Sequence, residues 1–297
     1  MYEDNPVMFI HDVFETEMYK GNSLGWEISG SRETVRSMTR ENLVAYKNEH
    51  YRGDNCIIVV AGHLPADIEQ QVATAFGALP GKPVDQTYPP KFVFPIFKGA
   101  FGSPRVNLVH RASEQAQVIL GFPAFSHFDH DEIIGQILAT ILGGTMSSRL
   151  FVAVREKQSL AYSVHASLSA YQDTGYFGVQ SGLDKTRLKA AIKVIHEELQ
   201  KVVDEGVDEE ELQRAKDYLT GKISIRLEDT SSLAQWYAEQ ETLTNRSLTP
   251  DEKFALVRAV TREDIHRVAK YLFDFNKATL AIIGPYKDAE EFLALLK

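Results

Sequence analysis

Part of this chain is written twice. Val35-Arg36 and Thr39-Arg40-Glu41 recur as Val257-Arg258 and Thr261-Arg262-Glu263, inside two eleven-residue stretches (33–43 and 255–265) with five identical positions and an offset of 222. The register continues without a gap, so that Tyr51 matches Phe273 and Gly62 matches Gly284. Two amphipathic patterns rarely stay aligned over roughly forty residues by convergence, so the repeat is read as a duplication. The second copy begins near Arg105. The matching start of the first falls at 105 − 222 = −117. Only the second half of the first copy is therefore in this sequence, and half a domain exposes a sheet edge and an apolar face. Three readings stay open: a truncated product, completion by another chain, or packing of the half-domain on the second copy in some other way.

Local signals fill in the elements. Asn5-Pro6 is a helix start, with Asn as N-cap and Pro at the first helical position; Val7, Ile10, Phe14 and Met18 follow at helical spacing. Ser31–Met38 reads as a short helix, and Thr39 caps the next one, with Asn42 where a capping-box acid would sit. Cys56–Gly62 reads as a buried strand and 65–76 as a helix. Pro80, Pro83, Pro89, Pro90, Pro95 and Pro104 mark a linker. Beyond it come strands at 106–110 and 117–122, and a helix from about 129 to 142. Ser147 or Ser148 then opens a helix through Lys157, followed by paired strands at 160–168 and 175–181. Long charged helices run over 184–205 and 208–227, and Thr279–Gly284 is a strand. The expected class is α+β: antiparallel sheets with helices on one side, in two homologous domains of which the first is truncated. The expected boundaries are 1–80 for the half domain, 81–103 for the linker and 104–297 for the complete domain.

Composition narrows the function classes. With 44% apolar and 25% charged residues over 297 positions, the chain has material for a sizeable core. A net charge of −9 without a basic run argues against nucleic acid and against an anionic membrane surface. Cys56 is the single cysteine, so no intramolecular disulfide forms and a reducing compartment is expected. The apolar run from Ile133 to Gly144 is well short of the ~20 residues that span a bilayer, and the first residues lack a basic, then apolar, leader pattern. A cytoplasmic location is expected.

The stretch Ser147-Ser148-Arg149-Leu150-Phe151-Val152-Ala153-Val154-Arg155-Glu156-Lys157-Gln158-Ser159-Leu160-Ala161-Tyr162-Ser163-Val164 resembles the second-domain signature of the pitrilysin/insulinase peptidases, the inverted zincins. Gly143-Gly144 ahead of it and Asp173-Thr174-Gly175-Tyr176-Phe177-Gly178 after it fit the same family. Met1-Tyr2-Glu3-Asp4-Asn5-Pro6 and Leu24-Gly25-Trp26-Glu27-Ile28-Ser29-Gly30 resemble the second half of that family's first domain, and the bacterial processing-protease branch is the nearest likeness. The resemblance implies a zinc endopeptidase in which two α+β domains clasp a peptide. It implies a zinc site of the form H-x-x-E-H on a first-domain helix plus a later Glu. No pair among the nine histidines has that pattern. On the family alignment the later Glu falls just before Met1, and Glu3 and Asp4 read as a solvated helix N-terminus rather than as ligands. The metal half is therefore expected outside this chain, as the repeat arithmetic also has it.

By the same resemblance, Arg155 and Tyr162 are auxiliary catalytic residues that reach the scissile carbonyl and its oxyanion. The bland alternative is an Arg155 paired with a nearby carboxylate and a Tyr162 that is an ordinary buried ring. Ser159 stands where the family often has Gly. No cofactor is expected in this chain itself, with zinc in the full-length protein or a partner subunit. Expected partners are a peptide substrate and either a zinc-bearing homologous subunit or self-association through the truncated domain. The chain is expected to be inactive alone. A second reading is a non-catalytic structural or partner subunit of the same fold. His127 and His130 could share a helix face as metal ligands, but His127 or Asp129 capping the helix that follows accounts for the cluster. Gly143-Gly144 reads as a hinge or tight turn, and the acids around Asp208 as helix ends.

Overall fold

A computed structural model describes residues 3–81 and 103–296. Nearly all of the expected linker therefore lies outside the described residues. The helices are α1 (Pro6–Met18), α2 (Arg32–Ser37), α3 (Arg40–His50), α4 (Ile68–Phe76), α5 (Glu132–Gly143), α6 (Leu188–Glu205), α7 (Glu209–Arg226), α8 (Thr230–Thr244), α9 (Pro250–Ala259), α10 (Arg262–Leu272) and α11 (Glu290–Leu293). The strands are β1 (Arg105–His110), β2 (Gln115–Ala124), β3 (Ala161–Ala170), β4 (Gly175–Asp184) and β5 (Thr279–Gly284). Two compact units result. The first holds described residues 3–27, 103–220 and 253–296; the second holds 28–81 and 221–252.

The first unit is built on one sheet, in the order β1-β5-β2-β4-β3. β2 runs antiparallel to β4 and β5, and β4 antiparallel to β3, but β1 runs parallel to β5 with Arg105 opposite Thr279. The α+β class holds, and the sheet is mixed rather than antiparallel throughout. β1 and β5 come from opposite ends of the domain, so no hairpin fixes their relative direction. Val118, Leu120 and Phe122, with Leu280 and Ile282, point to one face and join residues of α5, α6 and α10 in the main core. Ile119, Ala281 and Ile283 alternate to the other face. There they meet Ile10, Val13, Phe14 and Met18 of α1.

Helices therefore cover both faces, which corrects the one-sided expectation. α1 forms where the sequence placed it: the Asn5 side chain accepts from the Val7 amide, and Pro6 opens the helix. Its docking is also polar. Arg105 donates to the carbonyls of Glu17 and Met18, a cation at a helix C-terminus. Asn107 donates to the Val13 carbonyl and Gln180 to that of Val7. The Glu15 carboxylate accepts from the hydroxyls of Tyr171 (2.8 Å) and Tyr176 (3.2 Å).

The duplication is plain in the second unit. α3 and α10 start and stop at matching repeat positions, as do the short turns Gly53–Asn55 and Phe275–Lys277. Both helices open with a capping box, Thr39 with Asn42 and Thr261 with Asp264. α8 is the repeat counterpart of α1, Gln240 matching Met18, and each copy lends this helix to the unit built on the other. After the turn the copies diverge. Residues 279–284 form β5, whereas 56–61 have no regular secondary structure and no strand partner among the described residues. The buried strand expected over Cys56–Gly62 is thus corrected, and Cys56 is exposed. A strand needs neighbours to satisfy its backbone. β5 has β1 and β2, and residues 56–61 have no such neighbour among the described residues.

Candidate functional site

The segment from α5 to β3 is laid down in close steps. α5 is apolar nearly all round and ends at Gly143-Gly144. A Cβ on Gly143 would run into the Ala166 backbone nitrogen, so glycine here lets the helix end press against β3. Gly143 thus serves a close approach, and Gly144 opens the tight turn that follows. The Ser148 hydroxyl donates to the Thr145 carbonyl at 2.6 Å, and a helical turn follows. It widens into a π-turn over Phe151–Glu156, where the Lys157 amide reaches the carbonyl of Val152 at 2.9 Å. Such turns displace side chains from ordinary helical positions and recur at functional sites.

Ala153 and Val154 of this turn are buried, while Arg155 is exposed. Its guanidinium lies over the Phe151 ring, 4.8 Å from the centroid, which restrains the side chain without neutralising it. No carboxylate among the described residues pairs with it. The chain then reverses at Ser159, whose φ of 51° is left-handed. That backbone favours glycine, which gives the family preference at this position a physical cause. The turn is held tightly. The Ser159 amide donates to the Arg155 carbonyl (3.1 Å), the Leu160 amide to that of Val154 (2.9 Å), and the Arg187 guanidinium to that of Ser159 (2.5 Å). Asp184 fixes Arg187 at 3.0 Å. Hydrogen bonds from the Thr186 hydroxyl and amide, and then from Arg187, pull the Asp184 carboxyl down to about 2.

β3 opens on an irregularity. Ala161 lies opposite Leu183 and Ser163 opposite Gly182, so Tyr162 between them has no partner in the ladder. A bulge of this kind re-aims its side chain. Tyr162 is 58% exposed, not the buried ring of the bland alternative. Among the described residues β3 has β4 as its only neighbour, so its outer edge is open close to both residues. Sequence reasoning missed the ring beneath Arg155 and the Asp184–Arg187 brace. Asp184-Lys185-Thr186 has the form of an Asx-turn and could have signalled the brace.

The second candidate cluster resolves differently. Asp129 accepts from the Ser126 amide and hydroxyl at 2.8 and 2.9 Å, and the His127 amide donates to the Tyr171 carbonyl. The N-cap of α5 is Asp131, whose carboxylate takes both arms of the Arg267 guanidinium. The side-chain cap expected from His127 or Asp129 is not made: the N-cap position is Asp131, and no side chain caps the helix there. Among the described residues no group of three or more His, Cys, Asp or Glu stands together so as to hold a metal ion. A cleft of about 410 Å³ lies between α5 and α7, lined by Thr140, Thr145, Ser147, Arg214 and Tyr218 among others, and it includes neither Arg155 nor Tyr162.

Residues 37–219, well over half of the chain, match the family model described as the peptidase M16 inactive domain. The chain belongs to the M16 peptidase family. It is 34% identical over 294 residues to an uncharacterized zinc protease of Streptomyces coelicolor, covering 98% of this chain and 63% of that protein. To an uncharacterized zinc protease of Bacillus subtilis it is 32% identical over 286 residues, covering 96% and 67%. This M16 chain thus spans about two thirds of the length of these relatives. A protease from Helicobacter pylori has the same fold, with a TM-score of 0.85 at 20% identity over 95% of this chain and 68% of that one. So does a peptidase M16 inactive domain from Pseudomonas fluorescens, with a TM-score of 0.81 at 18% identity over 96% and 67%. No described helix of the M16 chain is long and apolar enough to cross a membrane.

Proposed function

We propose that this M16 chain is the metal-free, substrate-clasping portion of a zinc-dependent metalloendopeptidase of the pitrilysin type. In this reading residues 104–297 are the second domain and 1–80 the latter half of the first, while the zinc-bearing half is supplied by further polypeptide. The observation that carries the reading is the state of Arg155 and Tyr162. Both are exposed, Arg155 has no carboxylate partner among the described residues, and they sit on a π-turn and a bulge leading into an open sheet edge.

An extended peptide can add to such an edge through main-chain hydrogen bonds. The guanidinium and the phenol hydroxyl are donors; aimed at a scissile carbonyl, they hold the peptide in place and stabilise the negative charge that develops on its oxygen. The phenylalanine ring beneath Arg155 and the brace behind Ser159 fix both donors before substrate arrives.

Arg155→Ala and Tyr162→Phe in the full-length protein test this. Each is expected to lower kcat by about 10²–10³, with KM changed less and thermal stability unchanged, because both side chains are exposed. Unchanged kcat in both variants would reject a catalytic role and favour the non-catalytic partner subunit.

A further inference from the structure

We infer that His165 is a specificity-determining residue: with the end of α5 it closes the free edge of β3 just beyond Val164, so that an extended peptide pairs its main chain with Val164 and must leave the sheet there. This rests on the peptide-clasping reading above and adds which groups of the edge the peptide uses.

The ladder between β3 and β4 fixes which main-chain groups are free. At the turn joining the two strands the Tyr171 amide donates to the Thr174 carbonyl at 2.8 Å, and Ala170 lies opposite Gly175. At the other end the Asp184 amide donates to the Leu160 carbonyl at 3.1 Å. Opposed residues of an antiparallel pair alternate between exchanging both hydrogen bonds and exchanging none. Counted from Tyr171 along the register, Ser169, Ser167, His165 and Ser163 bond to β4, and the amides and carbonyls of Ala170, Leu168, Ala166 and Val164 point the other way. Counting from Leu160 across the Tyr162 bulge gives the same phase. An incoming strand would therefore meet Val164, Ala166, Leu168 and Ala170.

At Ala166 the way is barred. Val164 and Ala166 belong to the main core, on the α5 side of the sheet. His165 lies opposite Gln180, whose side chain bonds to α1, so His165 starts on the other side. Its Nδ1 nonetheless lies 2.9 Å from the carbonyl of Gly143, at the end of α5. The imidazole therefore crosses the β3 edge as a strap, and the same Gly143 presses against the Ala166 amide nitrogen. A carbonyl can only accept, so Nδ1 carries the proton and Nε2 is left as an acceptor. Natural sheets blunt open edges by covering them, and here the cover sits at one position. Val164 is the free position on the Tyr162 side of the strap, two residues and roughly 7 Å along the strand from that phenol-bearing residue. Leu168 and Ala170 lie past the strap. The matching substrate is a peptide that can turn within two residues of its scissile bond, which an unfolded segment does and a continuous strand or helix does not.

The strap and its consequence are tested separately. In the 297-residue chain, nitrogen NMR is expected to find the neutral His165 ring in the Nδ1–H tautomer; the Nε2–H tautomer would overturn the strap. In the full-length protein, residue-resolved hydrogen exchange is followed with and without a substrate peptide made resistant by N-methylation at its scissile bond. The bound peptide is expected to slow exchange of the Val164 amide by about ten-fold or more and to leave Leu168 and Ala170 unchanged. Slowing at Leu168 as well would mean a continuous edge, and no slowing at Val164 would mean no pairing; either result overturns the inference. His165→Ala, at an exposed position, is expected to keep the Tm and to extend the slowing to Leu168. An unchanged pattern would leave the closure to α5 and overturn the role of His165. Slowing confined to Val164, with normal kinetics in the Arg155 and Tyr162 variants, would sink the catalytic reading and leave this inference standing.

Discussion

Replacing Phe14 by Ala tests whether α1 is part of the core of the first unit. Phe14 is fully buried, its ring centroid lies 4.9 Å from that of Tyr176, and Gly121 of β2 lies directly against it. Losing a buried phenylalanine side chain costs about 3–5 kcal/mol when the cavity cannot collapse. The aromatic pair accounts for about 0.5–1.5 kcal/mol of that. Here collapse is resisted, because α1 is pinned through Arg105, Asn107 and Glu15. The assay is urea unfolding followed by hydrogen exchange at β2 and β4 amides, which isolates the first unit from the second. With a slope of about 3 kcal/mol/M, the midpoint should fall by roughly 1 M or more. Thr16→Ala, on the exposed side of the same helix, should stay within about 0.5 kcal/mol. A loss below about 1 kcal/mol for Phe14→Ala would mean that α1 does not belong to this core.

Gly121→Ala should destabilise the same unit by about 1–3 kcal/mol through overpacking, since a Cβ there would meet Phe14 Cε2 at 2.7 Å. In a Phe14→Ala background that penalty should largely vanish, and a purely additive double mutant would refute the contact. Ser159→Gly should be neutral to stabilising by about 1 kcal/mol, because relief of the left-handed backbone outweighs the extra freedom of the unfolded glycine; a clear fall in Tm would contradict the strain at that turn. The Asp184 carboxyl should titrate near 2 by NMR. As its folded value lies below the unfolded 3.8, the support it gives to the Ser159 turn is complete above about pH 4 and fades as pH falls toward 2. A midpoint at 3.8 or higher would remove the brace from the account.

Much of this fold was legible locally, and the parts that were not depend on distant partners. The capping boxes at Thr39 and Thr261, the start of α1 at Asn5-Pro6 and the apolar run of β5 are each written in a few consecutive residues. The same kind of run over Cys56–Gly62 was misleading, because an apolar extended segment becomes a strand only beside other strands. The parallel pairing of β1 with β5 could not be read either, since 279 − 105 = 174 residues separate their first positions. At the site, resemblance supplied Arg155 and Tyr162, but nothing in the local pattern announced the π-turn or the bulge. The φ of Ser159 was half legible, as a serine where the family often has glycine. Asp131 stands at the N-cap position of α5 without a side-chain capping bond, because both its carboxylate oxygens accept from Arg267, 136 residues further along the chain.

The central claim is that this chain holds the substrate-clasping half of a metallopeptidase and no metal site of its own. It is tested most directly by incubating the purified 297-residue chain with a quenched fluorescent peptide library in the presence of zinc. The account predicts no turnover above buffer. Hydrolysis that a chelator abolishes and added zinc restores would contradict it.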